Sequence, residues 1–503
     1  MDYFYHLQNG SNIDLAEIPI LSEVEFRNAV TDSVSNVCRV ESLFAMPDSD
    51  QFRIFAILLN PQTHCLDVTS MLCSGSYRSL TPELPAVHLF EREMAEQYGI
   101  VPEGHPCLHP VRFHDSYSGK NAPWAAEKNP EIGMTDFMEM KGEAVHEVAV
   151  GPIHAGVIEP GHFRFQCMGE DVYSLEISLG YQHRGIEKML EGPVTPRSIH
   201  YLETAAGDSS IAEATAYSVL MENLCGAAPT AKARQIRAIA LELERIANHT
   251  GDLGALAGDV AYLPTSSFCG RIRGEYLNMT AELCGNRFGR GLVVPGGVKF
   301  DLCQQRAEKI LKWINRVSPE LKNALDLMLD CPTVLDRFEN TGRVPKEIAS
   351  QLGLVGVAGR ASGLRLDARH DLPLNQDPVP KRIPVKHLTG EVMARVHTRY
   401  REINTSHEFL IRSLLDPEQG EFRTPCGMEL PGNKLAVSVV ESWRGELCHA
   451  AVTGENGTIR RYKIVDPSFH NWTGLAMALR NEQISNFPIC NKSFNLSYCG
   501  HDL

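Results

Sequence analysis

Apolar residues recur every three or four positions through the longest helix-like segments of the chain. In KARQIRAIALELERIANH they fall at one-face helix spacing, at Ile236, Ile239, Leu243 and Ile246. Two later segments repeat this spacing, at Ala307, Ile310, Leu311 and Ile314, and at Val392, Val396, Ile403, Leu410 and Leu414. The pattern predicts the core of a helical bundle, interrupted by the proline-rich stretch LPLNQDPVPKRIP.

Strand-like patterns lie on both sides of the predicted bundle. Near the N-terminus, FRIFAILLN and HCLDVTSML read as strands and PAVHLFEREMAEQYGI as a helix, which predicts an α+β domain. Near the C-terminus, LAVSVVESWRGELCHAAVTGENGTIRRYKIV predicts strands joined at an Asn456–Gly457 hairpin turn. The stretch IVDPSFHNW that follows predicts a strand stopped by Asp-Pro, with a loop after it.

These elements predict an α+β fold in which residues 1–113 form an α+β domain and residues 147–503 form a mainly helical domain with small β-sheets. Residues 114–146 are polar, carry Gly and Pro and lack a sustained period, so we expect a linker there. A length of 503 residues also favours more than one domain.

The composition limits the kinds of molecule with which the chain can be expected to interact. Hydrophobic content of 43% and charged content of 22% are typical of a soluble globular protein, and the net charge of −14 argues against binding to nucleic acid. The apolar run IFAILL is far shorter than the roughly 18 residues that a membrane span needs. The N-terminus shows no secretory signal. We therefore expect a cytoplasmic protein whose membrane attachment, if any, comes through partner subunits.

The fourteen cysteines include no C-x₂-C pair, the spacing by which one tight turn supplies two ligands to a soft metal or an iron–sulfur cluster. A self-contained cluster is therefore not expected. Most of the cysteines are predicted to be small buried residues in a reducing compartment, and Cys225 is predicted to be a packing residue at a helix end.

Three stretches carry more polar chemistry than a helix surface needs, namely GPIHAGVIEPGHFRF, GYQHRGIEKML and ANHTGDLGALAGDVAYLP. Each of them has an ordinary structural alternative, such as a helix cap, an ion pair or a satisfied polar group in the core. The chain contains no Walker loop, HExxH, GxSxG or GxGxxG motif, so common nucleotide and hydrolase sites are not indicated.

Taken together, these stretches resemble a known family. From about residue 147 onward, GPIHAGVIEPGHFRF, HRGIEK, ELERIANHTGDLGALAGD, CGNRFGRGLVVPGGV and GRASGLRLDARHDLP resemble the large subunit of energy-converting (group 4) nickel–iron hydrogenases. They equally resemble the homologous quinone-site subunit of respiratory complex I, an NADH:quinone oxidoreductase. RSLTPELPAVHLFEREMAEQYGIVPEGHP is similar to the small peripheral-arm subunit of complex I, which is fused to the large one in enzymes of the formate-hydrogenlyase and hydrogenase-4 type.

The resemblance implies that a metal site has been lost. Nickel–iron hydrogenases hold their metals with four thiolates, from one C-x₂-C pair after the HRGIEK region and a second in a terminal D-P-C-x₂-C. On that pattern Ala206, Ser209, Ser468 and Asn471 stand at the four cysteine positions. A serine hydroxyl and an asparagine amide are poor replacements for thiolate, so we expect no nickel–iron centre and no metal held by this chain.

The resemblance to complex I implies a quinone pocket instead. Its tyrosine falls on Tyr201, and its aspartate, which we expect to be buried behind the histidine, falls on Asp259. Two candidates, His154 and His162, compete for the histidine on a glycine-rich β-loop. Glu159 matches an acidic residue on the hydrogenase proton path. Glu213 replaces a histidine common to both relatives and, if it faces the cavity, changes its charge.

The leading hypothesis is a subunit of a membrane-bound, ion-translocating oxidoreductase, held peripherally on the cytoplasmic side of the cell membrane. Its implied partners are an iron–sulfur small subunit that carries the cluster, a ferredoxin-like subunit and antiporter-like membrane subunits. Electrons would pass to quinone or to another acceptor. The alternatives are a non-catalytic scaffold between the iron–sulfur and membrane arms, and a working hydrogenase.

Overall fold

In a computed structural model, the described residues are 3–120, 122–124, 131–154, 158–374, 377–386 and 388–503. The N-terminal part contains eight strands and two helices among them: β1 (Tyr5–Leu7), β2 (Ser11–Asp14), β3 (Ile20–Leu21), α1 (Glu23–Asn36), β4 (Arg39–Asp48), β5 (Gln51–Asn60), β6 (Cys65–Cys73), β7 (Ser76–Arg78), α2 (His88–Tyr98) and β8 (Val101–Glu103). The strands β5 and β6 and the helix α2 confirm the predicted elements of this region.

The middle of the chain is mainly helical in its described residues. Its elements are β9 (Val145–Val150), β10 (His162–Met168), β11 (Asp171–Ser178), α3 (Ile186–Met189), α4 (Ser198–Leu202), α5 (Ser210–Cys225), α6 (Ala231–Asp259), α7 (Leu263–Cys284), β12 (Val293–Val294), β13 (Gly297–Val298), α8 (Gln304–Leu329), α9 (Pro332–Phe338), α10 (Lys346–Gln351), α11 (Gly356–Ala361), α12 (Ala368–Asp371) and α13 (Val392–Leu415). The three segments with helical periodicity form α6, α8 and α13, and α6, α7, α8 and α13 pack on one another. The predicted bundle is confirmed.

The C-terminal part returns to mixed structure, with β14 (Lys434–Glu441), β15 (Glu446–Thr453), β16 (Ile459–Val465), α14 (Pro467–Ala478), α15 (Phe487–Phe494) and α16 (Tyr498–His501). The hairpin between β15 and β16 turns at Asn456–Gly457 as predicted, with Gly457 in the left-handed region. With these elements the α+β fold class is confirmed.

The predicted loop after Asp-Pro is wrong, because these residues begin a helix. The side chain of Asp466 accepts a hydrogen bond from the backbone N–H of Ser468, and Pro467 occupies the first helical turn of α14. Aspartate at the N-cap and proline at the next position both favour a helix start, since the proline lacks the N–H that would be unpaired there. Asp-Pro therefore ends β16 and starts α14 at once.

The first residues of the chain are built into the C-terminal sheet. Strand β2 pairs antiparallel with β14, which gives a four-stranded sheet in the order β16-β15-β14-β2. A second, five-stranded sheet contains β1, β3, β4, β5 and β6. The apolar core beneath it also takes in Leu435, Val437 and Phe469 from the C-terminal part. The predicted domain boundaries thus stay a prediction, while the core of the N-terminal part is shared across them.

One helix contact in the bundle predicts a dependence of stability on pH. His407 on α13 is hydrogen-bonded to the hydroxyl of Tyr276 on α7 at 2.7 Å, and burial lowers the pKa of His407 to about 4. An unfolded histidine titrates near 6.5, so the unfolded chain binds more protons as the pH falls below that value. The contribution of His407 is complete above pH 6.5 and is lost toward pH 4, by roughly 3 kcal/mol in all.

We therefore expect His407→Gln to melt with a weaker dependence on pH between 6.5 and 4 than the wild-type chain. The apparent melting temperature at several pH values measures this slope. Tyr276→Phe is the matched control, because it removes the same hydrogen bond and keeps the titrating ring. An unchanged slope in His407→Gln would contradict the assignment.

Candidate functional site

The connection between β9 and β10 carries one candidate histidine, His154, and the other, His162, is the first residue of β10. The Nε2 atom of His154 lies 3.0 Å from the carbonyl oxygen of Gly161, and Nδ1 of His162 lies 3.1 Å from the carbonyl oxygen of Gly151. Gly151 has a φ of +82°, and an added Cβ there would clash with the carbonyl oxygen of Gly161 and with the ring of His154. Glycine is required at this position, so the loop is tied across its base by the two histidines.

The two histidines differ in what their second ring nitrogen can do. Nε2 of His162 accepts a hydrogen bond from Nε of Arg164 at 3.3 Å, so both nitrogens of this ring are occupied. In the described part of the chain, Nδ1 of His154 makes no such bond. Because Nε2 of His154 donates to a carbonyl oxygen, Nδ1 is left as an acceptor. Within the segment GPIHAGVIEPGHFRF, strand β10 begins at His162. Residues 155–157 lie outside the described residues.

Glu159 connects this loop to the C-terminal residues of the chain. Its carboxylate accepts hydrogen bonds from the backbone N–H groups of Tyr498 and Cys499, at 3.2 and 3.4 Å. Further along, the side chain of Asp502 accepts from the backbone N–H groups of Gly180 and Gln182. The last residues are therefore packed into the centre of the domain by charge-assisted bonds.

The HRGIEK motif positions the segment around the first pair of predicted cysteine positions. The guanidinium of Arg184 donates to the carbonyl oxygens of Thr204 and Ala205 at 2.6 and 2.8 Å. Ala206 and Ser209 follow, and both are buried. Within the described residues, the hydroxyl of Ser209 makes no hydrogen bond. Arg184 thus holds this segment through backbone carbonyl groups, and the two predicted cysteine positions carry the methyl group of Ala206 and the hydroxyl group of Ser209.

The second pair of positions lies in the first turns of α14, and both side chains are bonded to backbone. The Oγ atom of Ser468 accepts from the N–H of Ser497 at 2.8 Å. The amide of Asn471 accepts from the N–H of Val355 and donates to its carbonyl oxygen, at 3.0 and 3.2 Å. These donor sets do not fit a nickel–iron centre, which needs soft thiolates with free lone pairs. Within the described residues no group of three or more His, Cys, Asp or Glu side chains could hold a metal ion.

Arg444 links the two segments, and the sequence analysis missed it. Its guanidinium forms a two-pronged ion pair with Asp208 at 2.6 and 2.8 Å, and its Nε donates to the carbonyl oxygen of Asn495. The charge lies 3.9 Å above the centre of the Trp443 ring. Asp208, which precedes Ser209, raises the pKa of Arg444 above its usual value against the effect of burial, and Asp466 adds to the rise. An arginine in the turn ESWRGE between two apolar strands was the available signal.

Glu213 is fully buried in α5 and does not add a charge to an open cavity. Its Oε2 atom lies 2.9 Å from Nε2 of His449, whose Nδ1 lies 2.9 Å from the hydroxyl of Tyr462. Burial raises the pKa of Glu213 well above its usual range, with Asp466 adding to the effect, and burial lowers the pKa of His449 to about 3. Both shifts favour the uncharged forms of the pair, a protonated carboxyl that donates to a neutral imidazole.

The remaining candidates, Tyr201 and Asp259, lie on separate helices. Tyr201 is half-buried on α4 and packs against the main core. Among the residues that the structure describes, it makes no hydrogen bond with His154 or His162. Asp259 was expected to be buried behind the histidine, but it is exposed at the end of α6, with Lys492 as its nearby charge. The structure thus unites His154, His162 and Glu159 at one loop, and leaves Asp259 apart.

A cavity of about 340 Å³ lies beside α14, between α2 and β11. Its lining mixes apolar residues such as Trp472 and Met477 with cationic ones such as Arg92 and Arg480. Nε2 of His88 is hydrogen-bonded to the hydroxyl of Thr473 on its wall, at 2.8 Å. A volume of this size can take a small organic molecule with both apolar and charged parts.

Comparison with known proteins shows that the chain is similar to subunits of respiratory-chain complexes. Residues 18–129 match the family model described as the 30 Kd subunit of respiratory-chain NADH dehydrogenase, and residues 259–425 match the model of its 49 Kd subunit. The chain is homologous to these two subunits in fused form. The chain of the membrane-bound sulfane sulfur reductase, an archaeal respiratory membrane complex, shares the fold with a TM-score of 0.66 and 20% identity, over 72% of this chain and 99% of that one.

Two bacterial proteins define the relationship further. Formate hydrogenlyase subunit 5 of Escherichia coli is 28% identical over 84% of this chain and 76% of its own length. Hydrogenase-4 component G of Escherichia coli is 26% identical over 88% of this chain and 79% of its own length. The chain is homologous to both, as the resemblance predicted. In the described part of the chain, no helix combines the length and the apolar character that crossing a membrane requires.

Proposed function

We propose that this chain is a subunit of a membrane-bound oxidoreductase complex that has lost the nickel–iron centre and passes electrons to a quinone or to another organic acceptor. Its electrons come from an iron–sulfur cluster in a partner small subunit. The complex also contains a ferredoxin-like subunit and antiporter-like membrane subunits, and this chain lies peripherally on the cytoplasmic side. Homology to hydrogenase subunits and to NADH dehydrogenase subunits supports the class of complex.

The observation that carries the loss of metal is the bonding of Ser468 and Asn471. The polar atoms of both side chains are bonded to backbone groups outside α14, at Ser497 and Val355. A metal at these positions would have to break three backbone hydrogen bonds in a buried setting and gain only weak ligands. Hydrogen activation is accordingly not part of the proposed function.

In the proposed site, the hydroxyl of Tyr201 donates to one carbonyl oxygen of the quinone headgroup, and His154 binds the other as the imidazolium ion, in which Nδ1 also carries a proton to donate. A phenol donates an O–H, and an imidazole can relay a proton as the quinone takes up two electrons and two protons. His154 suits this role better than His162 because its Nδ1 has no other bond among the described residues. In this proposal the carboxylate of Glu159, on the same loop, passes protons toward the quinone site. Asp259, which is exposed at the end of α6, is not included in the proposed site.

The experiment is quinone-analogue reduction by the complex purified from membranes, with Tyr201→Phe compared with wild type. Loss of a proton-donating group predicts a fall in kcat of about 100-fold. Tyr173→Phe, an exposed tyrosine on β11, is the control and should keep full activity. The same preparations should contain no stoichiometric nickel and evolve no hydrogen.

Unchanged reduction by Tyr201→Phe would remove this residue from the site. If, in addition, no quinone analogue protects the β9–β10 loop from hydrogen exchange, the scaffold hypothesis would replace the proposed one. Nickel present at one atom per chain would overturn the proposal altogether.

A further inference from the structure

Two cysteines that are 201 positions apart in the sequence meet at the surface of the helical domain. The Sγ atoms of Cys225 and Cys426 lie 2.6 Å apart, and both residues are half-buried. Cys225 is the last residue of α5, and Gly226 after it is in the left-handed region, which ends the helix. Cys426 lies in the connection between α13 and β14. The predicted packing role of Cys225 is therefore incomplete, because its thiol faces a second thiol.

The contact is held in place from both sides. The hydroxyl of Thr230 donates to the carbonyl oxygen of Glu421 at 2.7 Å, and the hydroxyl of Thr424 donates to the carbonyl oxygen of Ala228 at 3.1 Å. The N–H of Thr424 also bonds to the carbonyl oxygen of Gly296. These bonds fix the segment that carries Cys426 against the turn that follows Cys225. Each thiol thus stands at a high effective concentration beside the other, so that a mixed disulfide formed on one cysteine is attacked by the other faster than by a thiol in solution.

A neighbouring cavity of about 160 Å³, which Cys426 lines, gives small molecules a route to the Cys426 thiol. Apolar walls come from Tyr217 and Met221, and the exposed cationic side chains of Lys299 and Arg423 also border the cavity. Positive charge at the opening of a cavity raises the local concentration of anions and the rate at which they enter. A reagent that reaches Cys426 through this opening is therefore expected to be small and negatively charged.

We propose that Cys225 and Cys426 form a reversible disulfide by exchange with an anionic low-molecular-weight disulfide. One protein thiolate attacks a sulfur of the reagent, forms a mixed disulfide and releases one reagent thiol. The second protein thiolate then attacks the mixed disulfide, forms the Cys225–Cys426 bond and releases the second reagent thiol. The reagent gains two electrons and two protons in all, and the two cysteines lose them.

The disulfide responds to the redox state of the surroundings. In a reducing compartment the pair stays as thiols, and disulfides that form there are transient or sensing ones. Oxidation ties the segment after α13 to the end of α5, the helix whose other end begins beside Ser209. The two cysteines lie outside the β9–β10 loop and α4, so this modification site is distinct from the proposed quinone site, although Ile199 of α4 also lines the cavity beside Cys426.

The test treats the full chain with oxidised glutathione, in excess over reduced glutathione, and maps disulfides by mass spectrometry of the unreduced peptides. We expect a peptide pair linked through Cys225 and Cys426 and a loss of two free thiols, both reversed by dithiothreitol. Cys225→Ser and Cys426→Ser should each abolish the linked pair. Cys284→Ser, which changes a half-buried thiol bonded to backbone carbonyls, is the matched control and should retain it.

Reversing the charges of Lys299 and Arg423 tests whether they attract the anionic reagent. A variant with both Lys299→Glu and Arg423→Glu should react with anionic oxidised glutathione roughly tenfold more slowly, while its reaction with the cationic disulfide cystamine should not slow. Equal slowing with both reagents would overturn the anionic specificity. In the wild-type chain, two thiols that stay free in excess oxidised glutathione, or a disulfide mapped to other cysteines, would overturn the proposal without any variant.

Discussion

Replacing Arg360 by alanine is expected to lower the free energy of unfolding by about 3 to 5 kcal/mol. Arg360 is buried between two carboxylates, with Nε 2.8 Å from Glu402 and Nη1 2.7 Å from Glu441. Removing the guanidinium leaves both carboxylates buried without this cation. Oε2 of Glu402 also lies 2.7 Å from Nε2 of His249, so the loss of stability extends into the contact between α6 and α13.

Denaturant unfolding followed by tryptophan fluorescence measures the effect, and Trp443 packs against His249 beside this network. Lys322→Ala is the control, because Lys322 pairs with Asp326 on the exposed side of α8. Such a surface pair contributes less than about 1 kcal/mol. Arg360→Lys should fall between the two, since an ammonium group retains the charge but not the planar fork. Equal losses in Arg360→Ala and Lys322→Ala would refute the role of the buried network.

Replacing Arg444 by alanine is expected to release the C-terminal residues from the centre of the domain. The guanidinium pairs with Asp208 and donates to the carbonyl oxygen of Asn495. Hydrogen bonds to charged groups contribute about 1.5 to 3 kcal/mol, so local opening becomes roughly 10- to 100-fold more frequent. Since Asp466 is a nearby carboxylate, it also loses a favourable charge.

Hydrogen exchange of peptides covering 203–210 and 495–503 measures this opening. We expect both sets to exchange faster in Arg444→Ala. Under the proposed function, reduction of the acceptor by the assembled complex should fall as well. Arg343→Ala, at an exposed position where Nε donates to the carbonyl oxygen of Thr389, is the control and should leave both peptide sets unchanged. Faster exchange in the N-terminal part alone would contradict the assignment.

The helical core was predictable because its signal is local and repeated. Ile236, Ile239, Leu243 and Ile246 are all buried on one face of α6, as their spacing required. The hairpin at Asn456–Gly457 follows from the left-handed conformation that glycine adopts without strain. From the sequence, Asp-Pro is predicted only to end a strand, so the start of α14 is missed. The same pair of residues also favours the start of a helix.

The candidate site was predictable only in part. The sequence and its resemblance placed His154, His162 and Glu159 on one segment, and the structure unites them at one loop. The choice between the two histidines needed the backbone carbonyls and Arg164 that bond to their rings. The charge of Glu213 likewise depended on burial against His449, which is 236 residues away. No local pattern reports either contact.

The sequence by itself determined the helix and strand periods, the absence of C-x₂-C pairs and the residue types at 206, 209, 468 and 471. These properties depend on neighbours within a few positions, where backbone preference and side-chain chemistry act directly. Three contacts were decided only by the tertiary structure. Arg444 joins the segment around Asp208 to the C-terminal residues, β2 completes the C-terminal sheet, and Cys225 meets Cys426. Those contacts arise when distant apolar faces pack together, and packing sets distances that spacing along the chain does not encode.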